Sequence, residues 1–198
     1  MADQYFSADP TSADVRRTVR ARIWDTEYEF STSAGVFSRD RLDLGTSVLL
    51  REVEPDVGAR TILDLGCGYG PIACALATEV AQADVWAVDV NTRALELTAA
   101  NAKALGVRVH AALPDDVPAE VSFDQIWSNP AIRIGKPELH KMLLHWLPRL
   151  TPDGEAWLVV GKNLGADSLQ RWLTDQGFPA TRHASAKGFR VLRVTRAN

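Results

Sequence analysis

Residues 61–71 read Thr-Ile-Leu-Asp-Leu-Gly-Cys-Gly-Tyr-Gly-Pro, and this stretch indicates how the chain folds. It begins with a short apolar run, which is typical of a strand buried in a parallel sheet. Gly66, Gly68 and Gly70 then alternate, and a glycine lets a ligand lie close to the backbone because it has no Cβ atom. Pro71 suits the first position of a helix, where its missing N–H costs nothing. The stretch therefore predicts a strand, a glycine loop and a helix, which begin a Rossmann-like unit.

The carboxylate of Asp64 indicates which ligand the loop takes. Dinucleotides place their diphosphate at a helix N-terminus, over glycines spaced Gly-x-Gly-x-x-Gly. Here the spacing is Gly-x-Gly-x-Gly, and an acid lies two residues before the first glycine, where it would repel a diphosphate. S-adenosylmethionine carries a sulfonium and an ammonium and has no phosphate, so it fits this loop better. The alternative is a tight strand-to-helix turn that binds no ligand.

Length and composition suit a single globular domain. The chain has 198 residues and a net charge of −3, which argues against a protein that holds nucleic acid by charge alone. It contains no apolar run long enough to span a bilayer and no apolar signal segment at its acidic N-terminus. Cys67 and Cys74 are the only cysteines, and we expect them to be small apolar side chains in a reducing compartment. We therefore expect a cytoplasmic monomer with no metal and no membrane partner.

The pattern of apolar residues predicts an α/β fold: a mostly parallel, seven-stranded, Rossmann-like sheet with helices on both faces. Residues 1–20 are predicted to be a flexible segment, and residues 21–198 a single domain that begins with a hairpin around residues 25–27. Strands are predicted at 61–65, 85–88, 108–111, 123–127, 156–160, 178–183 and 189–194, the last two forming an antiparallel edge. Helices are predicted at 43–54, 71–80, 92–105, 137–147 and 168–176. Thr92 and Asp167 are expected to cap two of these helices.

Acids that follow the second and third strands of the sheet are candidates to bind a nucleoside. Asp89 ends the second strand, where Rossmann-like folds place an acid that accepts hydrogen bonds from both ribose hydroxyls. Asn91 is near enough along the chain to contact the same nucleoside. Asp115 and Asp116 follow the third strand, and either could accept a hydrogen bond from the adenine amine. The alternatives are an acid that interacts with a helix dipole and an ordinary Pro-Asp turn.

The stretch Ser-Asn-Pro-Ala at 128–131 follows the fourth strand, at the edge where open α/β sheets bind ligands. An exocyclic amine on a base is a poor nucleophile because its lone pair is delocalised into the ring. If the Asn129 oxygen and a nearby backbone carbonyl accept its two hydrogens, the lone pair turns toward the methyl donor. Asn129 and Pro130 are therefore the catalytic candidates, and an Asn-Pro turn without a function is the alternative.

Basic residues cluster in three segments, as candidates to contact the phosphates of a substrate. Arg133 and Lys136 lie in the loop between Asn129 and the helix predicted at 137–147. The other clusters lie near the two ends of the chain, at Arg16, Arg17, Arg20 and Arg22, and at Arg182, Lys187, Arg190, Arg193 and Arg196. They form either a basic rim for a phosphate backbone or merely a solvated surface.

The motifs at 64–71 and 128–130 resemble those of the class I S-adenosylmethionine methyltransferases that modify planar amino nitrogens. The run Gly-Val-Phe-Ser-Arg-Asp-Arg-Leu-Asp-Leu-Gly-Thr at 35–46 is more specific. Together with residues 132–136 and 187–190, it is similar to the methyltransferase small domain family, whose members include guanine-N2 methyltransferases of small-subunit ribosomal RNA. The resemblance covers about residues 20–195.

The resemblance implies a role for each matching position. It implies that Phe37 and Ser38 border the cofactor, that Asp64, Gly66 and Gly68 hold its methionine portion, that Asp89 holds its ribose, and that Asn129 with Pro130 holds the target amine. The residues expected to contact the substrate are Ala131, Ile132, Arg133, Lys136, Lys187 and Arg190. The function implied is methyl transfer to guanine N2 of 16S ribosomal RNA, with ribosomal RNA or the small ribosomal subunit as the partner.

Three departures from the family pattern keep other functions open. Ala131 replaces a rigid proline, and Ile132 replaces an aromatic residue whose stacking on a base is worth about 1–3 kcal/mol. Some members also carry a second methyltransferase-like half, whereas this chain has one. The alternatives are transfer to a glutamine amide of a protein, transfer to a small molecule, and a module that binds cofactor and RNA without catalysis.

Overall fold

The computed structural model describes residues 16–33, 41–130 and 135–197. Within these ranges no helix has both the length and the apolar character needed to cross a membrane. The elements are, in chain order, β1 (Arg16–Ile23), β2 (Thr26–Ser33), α1 (Leu44–Glu52), β3 (Thr61–Leu65), α2 (Pro71–Glu79), β4 (Asp84–Val88), α3 (Thr92–Leu105), β5 (His110–Ala112), β6 (Phe123–Ser128), α4 (Lys136–Trp146), β7 (Leu150–Gly161), α5 (Ala166–Asp175), β8 (Ala180–Ala186) and β9 (Phe189–Thr195).

Strands β1 and β2 form a separate antiparallel hairpin. Val19 and Ile23 of β1 are buried, and the residues beside them on the strand face solvent. Residues 16–20, which the sequence places in the flexible segment, therefore belong to a strand. They are ordered because Val19 lies opposite Phe30, which is fully buried in the core.

The main sheet has the order β5-β4-β3-β6-β7-β9-β8. The strands from β5 to β7 run parallel, while β9 is antiparallel to both of its neighbours. This order confirms the mostly parallel, seven-stranded sheet and its antiparallel edge. After β3 the chain builds outward to β5 and then returns to the other side of β3 at β6. The gap between the carboxyl ends of β3 and β6 is therefore a topological switch point, where sheets of this type bind ligands.

Apolar layers cover both faces of the sheet, as the sequence predicts. Successive residues of a strand point to opposite faces. Ile62 accordingly packs in one layer with residues of α1, α2, α3 and the hairpin. Leu63 packs in the other layer with residues of α4 and α5. Each is fully buried, which stabilises the fold by about 1.5–3 kcal/mol per side chain.

Three local predictions are wrong in detail. Asn91, not Thr92, caps α3, because its side-chain oxygen accepts hydrogen bonds from the backbone of the first turn. Gly165, with φ at 95°, occupies the N-cap position of α5, and Asp167 lies inside the first turn. The strand predicted at 156–160 is longer in the structure: β7 begins at Leu150, because its pairing with β6 tolerates an irregularity between Phe123 and Gln125.

Candidate cofactor and catalytic site

The main residues predicted to bind the cofactor and the target amine lie around the switch point between β3 and β6. The glycine loop follows β3, Asp89 follows β4, and Asn129 follows β6, so all three lie at the carboxyl edge of the sheet. The Ser128 hydroxyl donates a hydrogen bond of 2.7 Å to the Leu65 carbonyl. This bond joins the ends of β3 and β6 and fixes the spacing between the glycine loop and Asn129.

The glycine loop turns through three glycines with positive φ: 78° at Gly66, 58° at Gly68 and 82° at Gly70. Its amides have partners inside the protein, since those of Gly66 and Cys67 both donate to the Val88 carbonyl. A Cβ atom on Gly66 would meet no described atom within 4 Å, so the loop faces open space there. The loop therefore presents bare backbone to a ligand but few free N–H groups to a diphosphate.

Asp64 is a buried carboxylate behind this loop, with only 1% of its surface exposed. Its Oδ2 atom accepts a hydrogen bond of 2.9 Å from the Ala73 amide in the first turn of α2. Its Oδ1 atom has no hydrogen-bond partner among the described residues. Burial raises the pKa of Asp64 to about 8; the Ala73 hydrogen bond opposes this rise and the charge of Asp89 adds to it. A cation placed beside Oδ1 would favour the charged carboxylate.

Asp89 connects the glycine loop to the start of α3. Its two oxygens accept hydrogen bonds of 3.0 Å, one from the Gly68 amide and one from the Asn91 amide. Burial raises the pKa of Asp89, and these amides oppose the rise. Each carboxylate oxygen has two lone pairs, so Asp89 retains acceptor capacity for ribose hydroxyls. Its role in binding the ribose stays a prediction.

The other residues predicted to bind the nucleoside all follow Asp89 along the chain. Asn91 is 2% exposed and its side-chain oxygen caps α3, so its contact with a nucleoside stays a prediction. Asp115 and Asp116 are both exposed in a 3₁₀ turn that follows β5, at the same edge of the sheet. The geometry does not choose between these two acids as the partner of adenine.

Asn129 is held by two side chains from the start of α1. Its Nδ2 atom donates hydrogen bonds of 2.7 Å to Asp43 Oδ2 and 3.0 Å to Thr46 Oγ1. Asp43 is also the N-cap of α1, since Oδ2 accepts a hydrogen bond from the Thr46 amide. The sequence predicts that α1 begins near Asp43 but gives no sign of its contact with Asn129, which lies 86 residues away.

Gly45 lies where these side chains meet. A Cβ atom there would lie 3.0 Å from Asp43 Oδ2, 3.0 Å from the ring of Phe189 and 3.1 Å from Asn129 Oδ1. A side chain here would push these neighbours away by a few tenths of an ångström, so glycine suits the position and leaves the Phe189 ring and Asn129 Oδ1 close to the start of α1. Sequence analysis missed Phe189, although this residue supplies an aromatic surface beside the catalytic candidate.

Two side chains of α3 brace the glycine loop from behind. Asn101 accepts from the Ser31 amide and donates to the carbonyls of Ser31 and Tyr69, at 2.8–2.9 Å. Thr98 donates to the Gly68 carbonyl at 3.0 Å. Asn101 therefore connects the hairpin directly to the loop. Cys67 and Cys74 are free and buried, as predicted, and burial raises the pKa of both thiols.

The structure corrects the predicted basic rim at Arg190. This side chain is only 9% exposed and forms an ion pair with Asp167 of α5, so it does not face a substrate. Lys136 and Lys187 are exposed at the carboxyl edge of the sheet, as the prediction requires. Lys162, which the sequence analysis missed, is also exposed there, and its amide donates to the Gly188 carbonyl at 2.8 Å.

The arginines near the N-terminus do not form a purely basic surface. Arg20 lies opposite Glu29 in the hairpin and forms an ion pair with it at 2.9 Å. Arg22 lies opposite Glu27 in the same register. Acids of β2 thus offset the charge of β1, and this cluster behaves as a solvated strand face.

Several predicted site residues are not described by the structure. Pro130, in contrast, is described: it follows Asn129 directly and is buried. The residues outside the described ranges are Phe37, Ser38, Ala131, Ile132 and Arg133, and their roles stay predictions.

A surface cavity of about 520 Å³ lies at the opposite edge of the sheet, by the amino ends of β3 and β6. Its charged lining includes Glu155 and Arg193, which form an ion pair with each other at 2.6 Å. None of the residues described above as the site lines this cavity. In the part of the chain that the structure describes, no cluster of histidine, cysteine and acidic residues could hold a metal ion.

Comparisons with known proteins agree with this geometry. The profile of the methyltransferase small domain family matches residues 27–193. An uncharacterised protein of Bacillus subtilis, YbxB, is 31% identical over 198 residues, which cover 98% of each chain. Ribosomal RNA small subunit methyltransferase C of Hahella chejuensis is 36% identical over 67% of this chain and 40% of its own length. Ribosomal RNA large subunit methyltransferase G of Pseudomonas syringae is 31% identical over 80% of this chain and 45% of its own. The chain thus spans less than half of these two methyltransferases.

A similar solved structure is that of a T. thermophilus 16S rRNA N2 methyltransferase in complex with AdoMet and guanosine. It superposes with a TM-score of 0.81, over 94% of this chain and 52% of that one, at 24% identity. This likeness shows the same Rossmann-like methyltransferase fold.

Proposed function

The chain belongs to the methyltransferase small domain family, and from this we propose that it transfers a methyl group from S-adenosylmethionine to the exocyclic N2 amine of a guanine in ribosomal RNA. The observation that carries the proposal is the position of Asn129. Its carboxamide lies across the switch point from a glycine loop that has a buried acid behind it. The names of two relatives support RNA as the substrate class, since one is a methyltransferase of small-subunit ribosomal RNA and the other of large-subunit ribosomal RNA.

The residues of the loop fit S-adenosylmethionine. Asp64 offers an unpartnered buried oxygen, which a cationic ligand would satisfy. The open space in front of Gly66 admits a ligand against the backbone. The carboxylate of Asp64 already occupies the N-terminus of α2, where a dinucleotide would place its diphosphate. These features favour a sulfonium nucleoside over a nicotinamide dinucleotide.

Asn129 supplies orientation at the acceptor side. When bound, S-adenosylmethionine supplies a methyl group on a positively charged sulfur, and transfer leaves a neutral thioether while the amine releases one proton to solvent. Asn129 Oδ1 accepts one hydrogen of the amine, and a backbone carbonyl of the Asn-Pro turn accepts the other. Both contacts turn the nitrogen lone pair toward the methyl group, which lowers the barrier mainly by alignment.

Three lysines support RNA as the substrate. Lys136, Lys162 and Lys187 are exposed in the segments that follow β6, β7 and β8, at the same edge of the sheet as Asn129. Lysines at such a rim contact phosphates and position a strand without reading its sequence. The target base would be unstacked to reach Asn129, as in other enzymes that modify a base. We propose that the activity is cytoplasmic, because a ribosomal RNA substrate would be met there.

The test is a labelling experiment with S-adenosylmethionine that carries a radioactive methyl group. The protein is incubated separately with small subunits, large subunits and their purified RNA, and the label in RNA and in protein is counted after separation. We expect label in RNA, and digestion to nucleosides should yield N2-methylguanosine. Label in ribosomal proteins would indicate transfer to an amide instead.

The matched control is Asn129→Ala. This variant should bind the cofactor with unchanged affinity, measured by calorimetry, and transfer the methyl group about a hundredfold more slowly or worse, leaving a residual rate that long incubations can measure. If the wild-type protein binds the cofactor yet labels neither RNA nor protein in any of these samples, the proposed function is wrong and a binding module takes its place.

A further inference from the structure

Asn129 is useful to catalysis only in one of its two orientations. Its oxygen accepts a hydrogen from the amine, whereas its NH₂ group would oppose the amine with hydrogens of its own. The two orientations differ by a half-turn of the carboxamide and occupy nearly the same volume. Packing alone therefore selects weakly between them, and hydrogen-bond partners must decide.

The partners of Nδ2 decide the orientation. An ionised carboxylate accepts hydrogen bonds and cannot donate them, so Asp43 Oδ2, at 2.7 Å, requires a nitrogen opposite it. Thr46 Oγ1, at 3.0 Å, accepts the second hydrogen of the same nitrogen. Both hydrogens of Nδ2 are thus engaged, and no donor among the described residues contacts Oδ1. A half-turn would place Oδ1 against the carboxylate, where like charges repel.

The start of α1 keeps both acceptors in place. Asp43 Oδ2 also accepts from the Thr46 amide at 3.1 Å, and the Ser47 hydroxyl donates to the Asp43 carbonyl at 2.9 Å. Thr46 is 5% exposed, so its hydroxyl is fixed by packing as well. Gly45 brings this turn close to Asn129, because any Cβ atom there would lie within 3.1 Å of the Asn129 oxygen.

Resting on the proposed function, we infer that Asp43 and Thr46 are positioning residues for methyl transfer. They hold the Asn129 carboxamide so that Oδ1 faces the target amine, and they act only through Asn129. The negative charge of Asp43 also polarises the carboxamide, which makes Oδ1 a stronger acceptor.

Two disruptive variants and one conservative variant test the inference. Asp43→Ser keeps a side-chain cap for α1 but is too short to reach Asn129. Thr46→Val removes the hydroxyl acceptor with little change of shape, and Thr46→Ser retains it. We expect kcat to fall by about tenfold to a hundredfold in the first two, with S-adenosylmethionine affinity within about twofold of wild type, and Thr46→Ser to stay close to wild type.

A double-mutant cycle separates positioning from simple destabilisation. In an Asn129→Ala background, Asp43→Ser and Thr46→Val should cause no further loss of kcat, because there is no carboxamide left to orient. Ser47→Ala, in the same turn of α1, controls for a loosened helix. If Asn129→Ala removes activity while Asp43→Ser and Thr46→Val leave kcat unchanged, the inference is overturned and the proposed function stands.

A second readout does not depend on turnover. In the NMR spectrum of wild-type protein, the Asn129 side-chain NH₂ should exchange slowly with solvent because both hydrogens are bonded. Asp43→Ser and Thr46→Val should accelerate this exchange, and Thr46→Ser should not. Fast exchange in the wild-type protein would overturn the inference even if methyl transfer is found. If the wild-type protein shows slow exchange but transfers no methyl group, the proposed function is rejected. The orientation of the Asn129 carboxamide would then have no role in catalysis.

Discussion

Asp64 accepts a hydrogen bond from the Ala73 amide at 2.9 Å, so the N-terminus of α2 already holds a carboxyl group. Helix N-termini attract negative charge because their amides and the helix dipole point outward. In this chain Asp64 supplies that charge when a bound cation keeps its carboxyl group ionised. The glycine loop consequently favours a ligand whose charge is positive.

The first prediction concerns ligand selectivity. Isothermal calorimetry should show binding of S-adenosylmethionine and no binding of NADH, because a diphosphate would meet the Asp64 carboxylate. Asp64→Asn should weaken S-adenosylmethionine binding by about tenfold or more, because the amide offers no negative charge to the cationic ligand; a tenfold loss corresponds to about 1.4 kcal/mol. S-adenosylhomocysteine, which lacks the sulfonium charge, should lose less affinity in the same variant. An Asp64→Asn variant that gains NADH binding without losing the sulfonium ligand would support a different cofactor.

The second prediction concerns the pH dependence of stability in the ligand-free protein. Burial raises the pKa of Asp64 from 3.8 to about 8, so the folded state holds a proton that the unfolded state releases. The unfolding free energy should therefore fall as pH rises between these two pKa values. In urea unfolding at about pH 5 and about pH 8, wild type should lose more stability than Asp64→Asn, which has no carboxyl to ionise. Equal losses in both proteins would contradict the raised pKa.

The third prediction concerns Asn101, which bonds both to Ser31 of the hairpin and to Tyr69 of the glycine loop. Asn101→Ala leaves buried backbone groups without partners, and we expect it to lower the unfolding free energy by about 2 kcal/mol. It should also weaken S-adenosylmethionine binding, because the loop loses its brace. Lys103→Ala, an exposed position on the same helix, should change neither quantity. Hydrogen exchange at the Ser31 amide would show directly whether the contact is lost.

Local sequence signals predict the parts of this fold whose causes are local. Strand β3 and the start of α2 have the predicted residues, because an apolar run, glycines and a proline act within a few positions. The contact of Asp43 with Asn129 could not be predicted, since it depends on how α1 packs over the sheet. The sequence predicts Arg190 at the opening from its charge and from the family resemblance at 187–190, whereas the fold places Asp167 next to it.

Helix caps show the same contrast between local sequence signals and contacts that depend on the fold. Asn91 and Thr92 are both good capping residues, and the sequence alone favours neither strongly. Asn91 becomes the cap because the tight exit from β4 fixes its backbone, with its amide bonded to Asp89. The choice thus follows from the turn after β4 and not from the helix itself.

The fourth prediction concerns the lysine rim formed by Lys136, Lys162 and Lys187. If these side chains neutralise phosphates, each Lys→Ala change should weaken RNA binding and reduce the slope of log affinity against log salt by about 1. Binding measured between about 50 and 200 mM salt gives that slope directly. Asp167→Asn is the matched control at the same edge, because it disturbs the buried Arg190 ion pair without removing an exposed cation. It should lower stability and leave the salt slope unchanged. If the three lysine variants leave the salt slope unchanged, RNA binds to another surface of the protein. The same conclusion follows if Asp167→Asn changes the slope as strongly as they do.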